Sequence, residues 1–81
     1  MNVTVKLFAA ARDRAGADEV VLDLPSSATV ADLRRQLAEE HSSLQPLLAH
    51  VLFAVDAQYA KDDTPLTEGC EVACIPPVSG G

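Results

Sequence analysis

Thr29-Val30-Ala31-Asp32-Leu33-Arg34-Arg35-Gln36-Leu37 reads as the opening of one amphipathic helix, and the segments on either side take their places around it. Thr29 stands where an N-cap belongs, and Asp32, three residues on, completes a variant of the capping box. Val30, Leu33 and Leu37 follow at helical spacing and form a stripe that faces the core. Arg34, Arg35, Glu39 and Glu40 are expected largely on the opposite, solvated side.

Upstream, Val3, Val5 and Leu7 alternate with Thr4 and Lys6, the pattern of a half-buried strand. Ala9–Ala15 carries helix formers and stops at Gly16, a residue suited to a left-handed C-terminal cap. Val20, Leu22 and Leu24 alternate with Glu19 and Asp23 and give a second strand, ended by Pro25. Downstream, Leu44–His50 is expected to hold one further helical turn, with Ser43 as cap and Pro46 in the first turn. Val51, Phe53 and Val55 form a third strand, and Asp62-Asp63-Thr64-Pro65 is turn chemistry. In the last strand, Glu71–Ile75, Val72 and Cys74 point inward. The order is strand, short helix, strand, long helix, strand, strand. One amphipathic helix on one face of a small mixed sheet is the α+β solution for this size, in the ubiquitin-like β-grasp arrangement. Strands joined through a helix are expected to run parallel with a right-handed crossover.

Composition narrows the function. The 81 residues suffice for one domain, and at 48% apolar they supply a single sheet-and-helix core. No apolar run approaches a membrane span and no leader is visible, so the expected location is cytoplasmic, with no membrane partner. Twelve Asp and Glu against six Lys and Arg leave a net charge of −6, scattered along the chain. That balance repels phosphate backbones and argues against nucleic acid; it steers the domain toward basic patches on proteins. Cys70 and Cys74 lie about 13 Å apart if both sit along an extended strand, beyond the reach of a disulfide. They read as free, buried thiols. A metal site would need more ligands than these two plus His41 or His50, each expected at the surface or a helix end.

The chain ends Pro76-Pro77-Val78-Ser79-Gly80-Gly81. Prolines fix φ and lack N–H donors, so Pro76 and Pro77 end the strand and project the remaining residues away from it. Fully extended, six residues reach about 20 Å. The expected organisation is a globule over residues 1–75 and a reactive tail over 76–81, a terminal carboxylate on a probe thin enough for a narrow channel. Strand parity adds a second signal. With Val3, Val5 and Leu7 inward, Phe8 points outward; with Val72 and Cys74 inward, so does Ile75. Tyr59 falls in a segment expected to be exposed. Phe8, Tyr59 and Ile75 are therefore candidates for an uncovered apolar patch beside the root of the tail, and Val78 could extend it.

Leu7-Phe8-Ala9 with Arg12 and Gly16, then Thr29-Val30 with Leu33 and Leu37, then Pro65-Leu66-Thr67-Glu68-Gly69-Cys70-Glu71-Val72, and finally the Pro-Pro-Val-Ser-Gly-Gly ending make a pattern. Over essentially the whole chain it resembles the small, sulfur-carrier subunit of molybdopterin synthase, the MoaD-type branch of the MoaD/ThiS family. The resemblance implies a cycle at Gly81. A partner E1-like adenylating enzyme uses Mg-ATP to make an acyl-adenylate. A sulfurtransferase or cysteine desulfurase supplies sulfur for a thiocarboxylate. The tail then enters the large synthase subunit, in a heterotetramer, and sulfur passes to a pterin precursor to form the molybdopterin dithiolene. By the same resemblance Phe8, Tyr59 and Ile75 contact that subunit and Arg12 salt-bridges a partner. Other members often carry a larger aromatic at the Ile75 position and an aliphatic residue at that of Tyr59.

The sequence shows no phosphate-binding loop, no pair of carboxylates set in a pocket and no nucleophile–base couple. The chain is therefore expected to bind no cofactor and to act as a non-catalytic sulfur donor, with the catalytic side chains on the large subunit. Two alternatives share the same terminus. One is a sulfur carrier for thiamine thiazole synthesis, whose shorter members tend to end in Ala-Gly-Gly without the prolines. The other is a ubiquitin-like modifier conjugated to lysine through Gly81.

Overall fold

The computed structural model describes residues 1–77. Thr29 caps the central helix, α2 (Val30–Glu40), through a complete capping box. The Asp32 carboxylate accepts the Thr29 N–H at 2.9 Å, and the Asp32 N–H returns to the Thr29 hydroxyl at 3.4 Å. The Thr29 N–H, its hydroxyl and the nearby Arg35 hold the Asp32 carboxyl below the usual carboxylate range. Its contribution is thus complete at neutral pH and is lost as pH falls through the acid range. Val30, Leu33 and Leu37 are fully buried, as their spacing requires.

That helix packs on one face of a five-stranded sheet ordered β2-β1-β5-β3-β4. Its strands are β1 (Asn2–Leu7), β2 (Glu19–Asp23), β3 (Leu52–Val55), β4 (Gln58–Ala60) and β5 (Glu71–Ile75). Val3, Val5 and Leu7 of β1, Leu22 of β2, Phe53 of β3 and Val72 and Cys74 of β5 fill the core beneath α2. Full burial of each such side chain contributes about 1.5–3 kcal/mol. A mixed sheet with helices on one face is the ubiquitin-like β-grasp fold expected from the sequence.

Several details differ from the expectation. The helix α1 (Ala9–Ala15) ends at Gly16 with φ +71°, as foreseen, yet β1 and β2 on either side of it pair antiparallel. A seven-residue helix is too short to carry the chain across the sheet, so it only widens a hairpin. The parallel neighbours are the first and last strands, β1 and β5. The 44–50 segment is a 3-10 turn (Ser42–Leu44) running into α3 (Gln45–Leu48), and Ser43 lies inside that turn without capping anything. There is also a fifth strand, β4, in a segment given no element from the sequence, where Gln58 and Tyr59 are exposed as expected.

Arg34 departs furthest from its expected place. Its guanidinium turns under the sheet edge, 4.9 Å above the Phe53 ring. It donates to the backbone oxygens of Leu48 and, at 3.4 Å, Val51, and pairs with Asp62 at 3.0 Å. The end of α3, the start of β3 and the turn after β4 are tied together by this one side chain. Arg34→Met keeps the length and removes the donors. We expect it to cost about 2 kcal/mol, seen as a Tm lower by about 10 °C in a domain of this size. An unchanged Tm would return Arg34 to the solvent.

Candidate functional site

Alternation puts the odd-phase side chains of the sheet on the face that no helix covers. In β5 these are Glu71, Ala73 and Ile75; in β3 they are Leu52 and Ala54. The register sets Ala54 between Ala73 on one side and Tyr59 on the other, and places Leu52 opposite Ile75. Two methyl groups between larger neighbours make a low floor. Tyr59, Phe8 and Ile75 rise around it, with Ala57 and Glu71 closing the rim, and the groove has a volume of about 500 Å³.

Phe8 and the β3–β4 turn are each held by backbone geometry. The Phe8 N–H donates to the Cys74 oxygen at 3.3 Å, which extends the β1–β5 ladder by one residue and turns the ring outward. Ala9 then takes φ +51°, a left-handed conformation that breaks the strand sharply into α1. Asp56 and Ala57 are both left-handed (φ +49° and +70°), the conformation of a tight two-residue hairpin usually written with Asn-Gly. Asp56 secures that turn to β5. Its N–H donates to the Glu71 oxygen at 2.8 Å, and its carboxylate accepts the Glu71 N–H at 3.0 Å.

The three predicted patch residues thus meet in one groove. Phe8 is 46% and Tyr59 73% exposed, too much for residues that only seal a core; Ile75 is half-buried. Leu52, 56% exposed beside Ile75, belongs to the same face and was overlooked, as were the alanines beneath. Parity against Val51 and Phe53 is the signal that would have found it. Arg12 lies outside the groove. It is exposed on α1, 4.0 Å from Asp13, and lines a separate depression with Lys6, Asp18 and Glu19 on the other side of Phe8. Pro76 is buried and Pro77 exposed, so the chain surfaces between the two prolines, at the Ile75 end of the groove. Val78, Ser79, Gly80 and Gly81 lie outside the described residues.

Other chemistry is sparse. Cys70 and Cys74 are free and buried. Burial pushes the Cys74 thiol up to about 11, only partly countered by Arg34, so it stays protonated and unreactive at neutral pH. Among the described residues no cluster of His, Cys, Asp or Glu could hold a metal ion, and no helix is long and apolar enough to cross a membrane.

Comparison with known proteins agrees with this geometry. The ThiS family model matches residues 5–81. The molybdopterin synthase sulfur carrier subunit of Chlamydomonas reinhardtii is 36% identical over 83 aligned residues, covering 100% of both chains. Among solved structures, a putative molybdopterin converting factor, subunit 1, from Pyrococcus furiosus has a TM-score of 0.85 at 34% identity, covering 96% of this chain and 99% of that one. SAMP1 from Haloferax volcanii has a TM-score of 0.89 at 29% identity, with 100% of both chains covered. A family match over nearly the whole length, with relatives spanning all of it, leaves one assignment: the chain belongs to the ThiS family.

Proposed function

We propose that the chain is a sulfur carrier for molybdopterin synthesis, with Gly81 as the reacting residue. The observation that carries this reading is the convergence of Phe8, Tyr59 and Ile75 on one apolar groove at the end of β5, the strand that runs into the Gly-Gly terminus. A docking face and a reactive end sit on the same strand, so seating the groove on a partner also aims the tail. The partner is the large subunit of molybdopterin synthase, in a heterotetramer, a reading supported by the relatives, which are themselves subunits of that synthase.

The chemistry needs two further proteins. A carboxylate resists attack because hydroxide or oxide is a poor leaving group. An E1-like enzyme with Mg-ATP joins the Gly81 carboxylate oxygen to the α-phosphorus and expels pyrophosphate. The outer sulfur of a persulfide on a sulfurtransferase or cysteine desulfurase then attacks the acyl carbon and AMP departs. A thiol cleaves the S–S bond of the resulting acyl disulfide, releasing the thiocarboxylate and leaving a disulfide on the donor. Glycine offers no Cβ to obstruct either attack. None of these steps calls on a side chain of this domain.

Incubation with the cognate adenylating enzyme, ATP and a sulfur source should raise the intact mass by one sulfur-for-oxygen exchange, localised to the C-terminal peptide. No exchange at Gly81 would end the proposal. The modifier reading is favoured by one observation, the likeness to SAMP1, a small archaeal modifier protein. It would instead appear in cells as higher-mass conjugates lost on deleting Gly81.

A further inference from the structure

The groove's lining is apolar except for one charged group, Glu71. Its backbone is fixed on both sides by Asp56, so the carboxylate stands at a defined place on the rim. Asp56 spends its own carboxylate on that task. Glu71 has a single side-chain partner among the described residues, Lys6, with Nζ 3.5 Å from Oε1. Both side chains are substantially exposed, at 45% for Lys6 and 62% for Glu71. An ion pair so open to water is weak and exchanges at little cost. Lys6 would not be stranded by losing it. The β1–β2 register puts Glu19 directly opposite Lys6, a cross-strand distance at which opposite charges pair. One lysine therefore stands between two carboxylates, on a face that also carries Asp23 and on a chain of net charge −6.

We infer that the groove receives an apolar side chain of a protein partner flanked by a lysine or arginine, and that this cation takes Glu71 while Lys6 shifts to Glu19. The inference rests on the docking reading above and adds what the partner must present. Apolar contact supplies the bulk of the affinity, and the fixed carboxylate selects register and partner. Lys6 acts as an internal substitute that keeps Glu71 neutralised until docking.

The test uses the full-length chain and the large subunit of molybdopterin synthase, with Kd measured from low salt to about 1 M NaCl, where surface pairs are screened. Glu71→Gln should weaken binding about five- to tenfold at low salt and converge on wild type at high salt. Lys6→Ala should have the opposite sign, equal or up to about twofold tighter, because it removes the competitor and leaves the carboxylate. Melting curves establish that each variant is folded. Glu71→Gln binding like wild type, or Lys6→Ala weakening binding as much as Glu71→Gln, overturns the inference. Failure of the underlying reading looks different. In that case wild type does not bind the large subunit, or Phe8→Asp binds as well as wild type.

Discussion

Phe8→Asp weakens docking to the large synthase subunit by about a hundredfold, the scale of a central aromatic hot spot, while Tm changes by only a few degrees. The two effects separate because of where β1 ends. Leu7 is the last side chain of the strand to enter the core, and Phe8, one residue later on the same ladder, projects from the opposite face. Its ring is 46% exposed, so the free domain loses little packing when it is replaced. In a complex the same ring would be desolvated as one wall of the groove. A carboxylate there would be buried without a partner. The measurement is a Kd by calorimetry alongside a thermal melt. A Tm loss that accounts for the lost binding would place Phe8 among the core residues and dissolve the groove as a docking site. Phe8→Leu is the control, since it retains the apolar contact and should lose far less.

Much of this arrangement can be seen in the chain itself, and the reasons are local. The capping box at Thr29 and Asp32, the three-and-four spacing of Val30, Leu33 and Leu37, and the left-handed stop at Gly16 are decided within a few residues of each other. Parity carried the outward direction of Phe8 and Ile75, because a strand has only two faces. What escaped depends on partners distant in sequence. β4 has three residues and no alternation of its own; it exists because Asp56 and Ala57 turn the chain back and Ala54 offers a ladder to Tyr59. Arg34 has a helix-surface address, and only the arrival of Leu48, Val51 and Phe53 draws its guanidinium inward. The antiparallel pairing of β1 with β2 turns on helix length, since α1 is too short to cross the sheet. The groove's floor was invisible for a different reason. Ala54 and Ala73 carry almost no pattern signal, yet their smallness is what lets Tyr59, Phe8 and Ile75 enclose a hollow. A groove is made by what is missing between large residues.

Deleting Gly81 abolishes sulfur exchange at the C-terminus, and Gly80→Val does nearly the same, with melting and circular dichroism matching wild type in both. The argument is chemical. An adenylating enzyme must bring the carboxylate in line with the α-phosphate of ATP, and loss of one residue withdraws it by about 3.5 Å. Displacements of about 1 Å from reacting geometry already cost roughly a hundredfold in rate. The truncated chain would also expose Gly80 as its terminus, chemically competent in principle, so loss of activity there reports reach rather than reactivity. Gly80→Val tests the other requirement. A β-branched side chain thickens the probe and confines a residue that otherwise has nearly the whole φ/ψ map open to it. Neither change touches the core, whose last buried side chains on β5 are Val72 and Cys74. The readouts are intact mass after incubation with the adenylating enzyme, ATP and a sulfur source, and molybdopterin formed with the large subunit. Full sulfur exchange together with full molybdopterin formation in either variant would mean that the chemistry does not depend on this terminus. Exchange retained by Gly80→Val with no molybdopterin formed would localise the narrow passage to the large subunit alone.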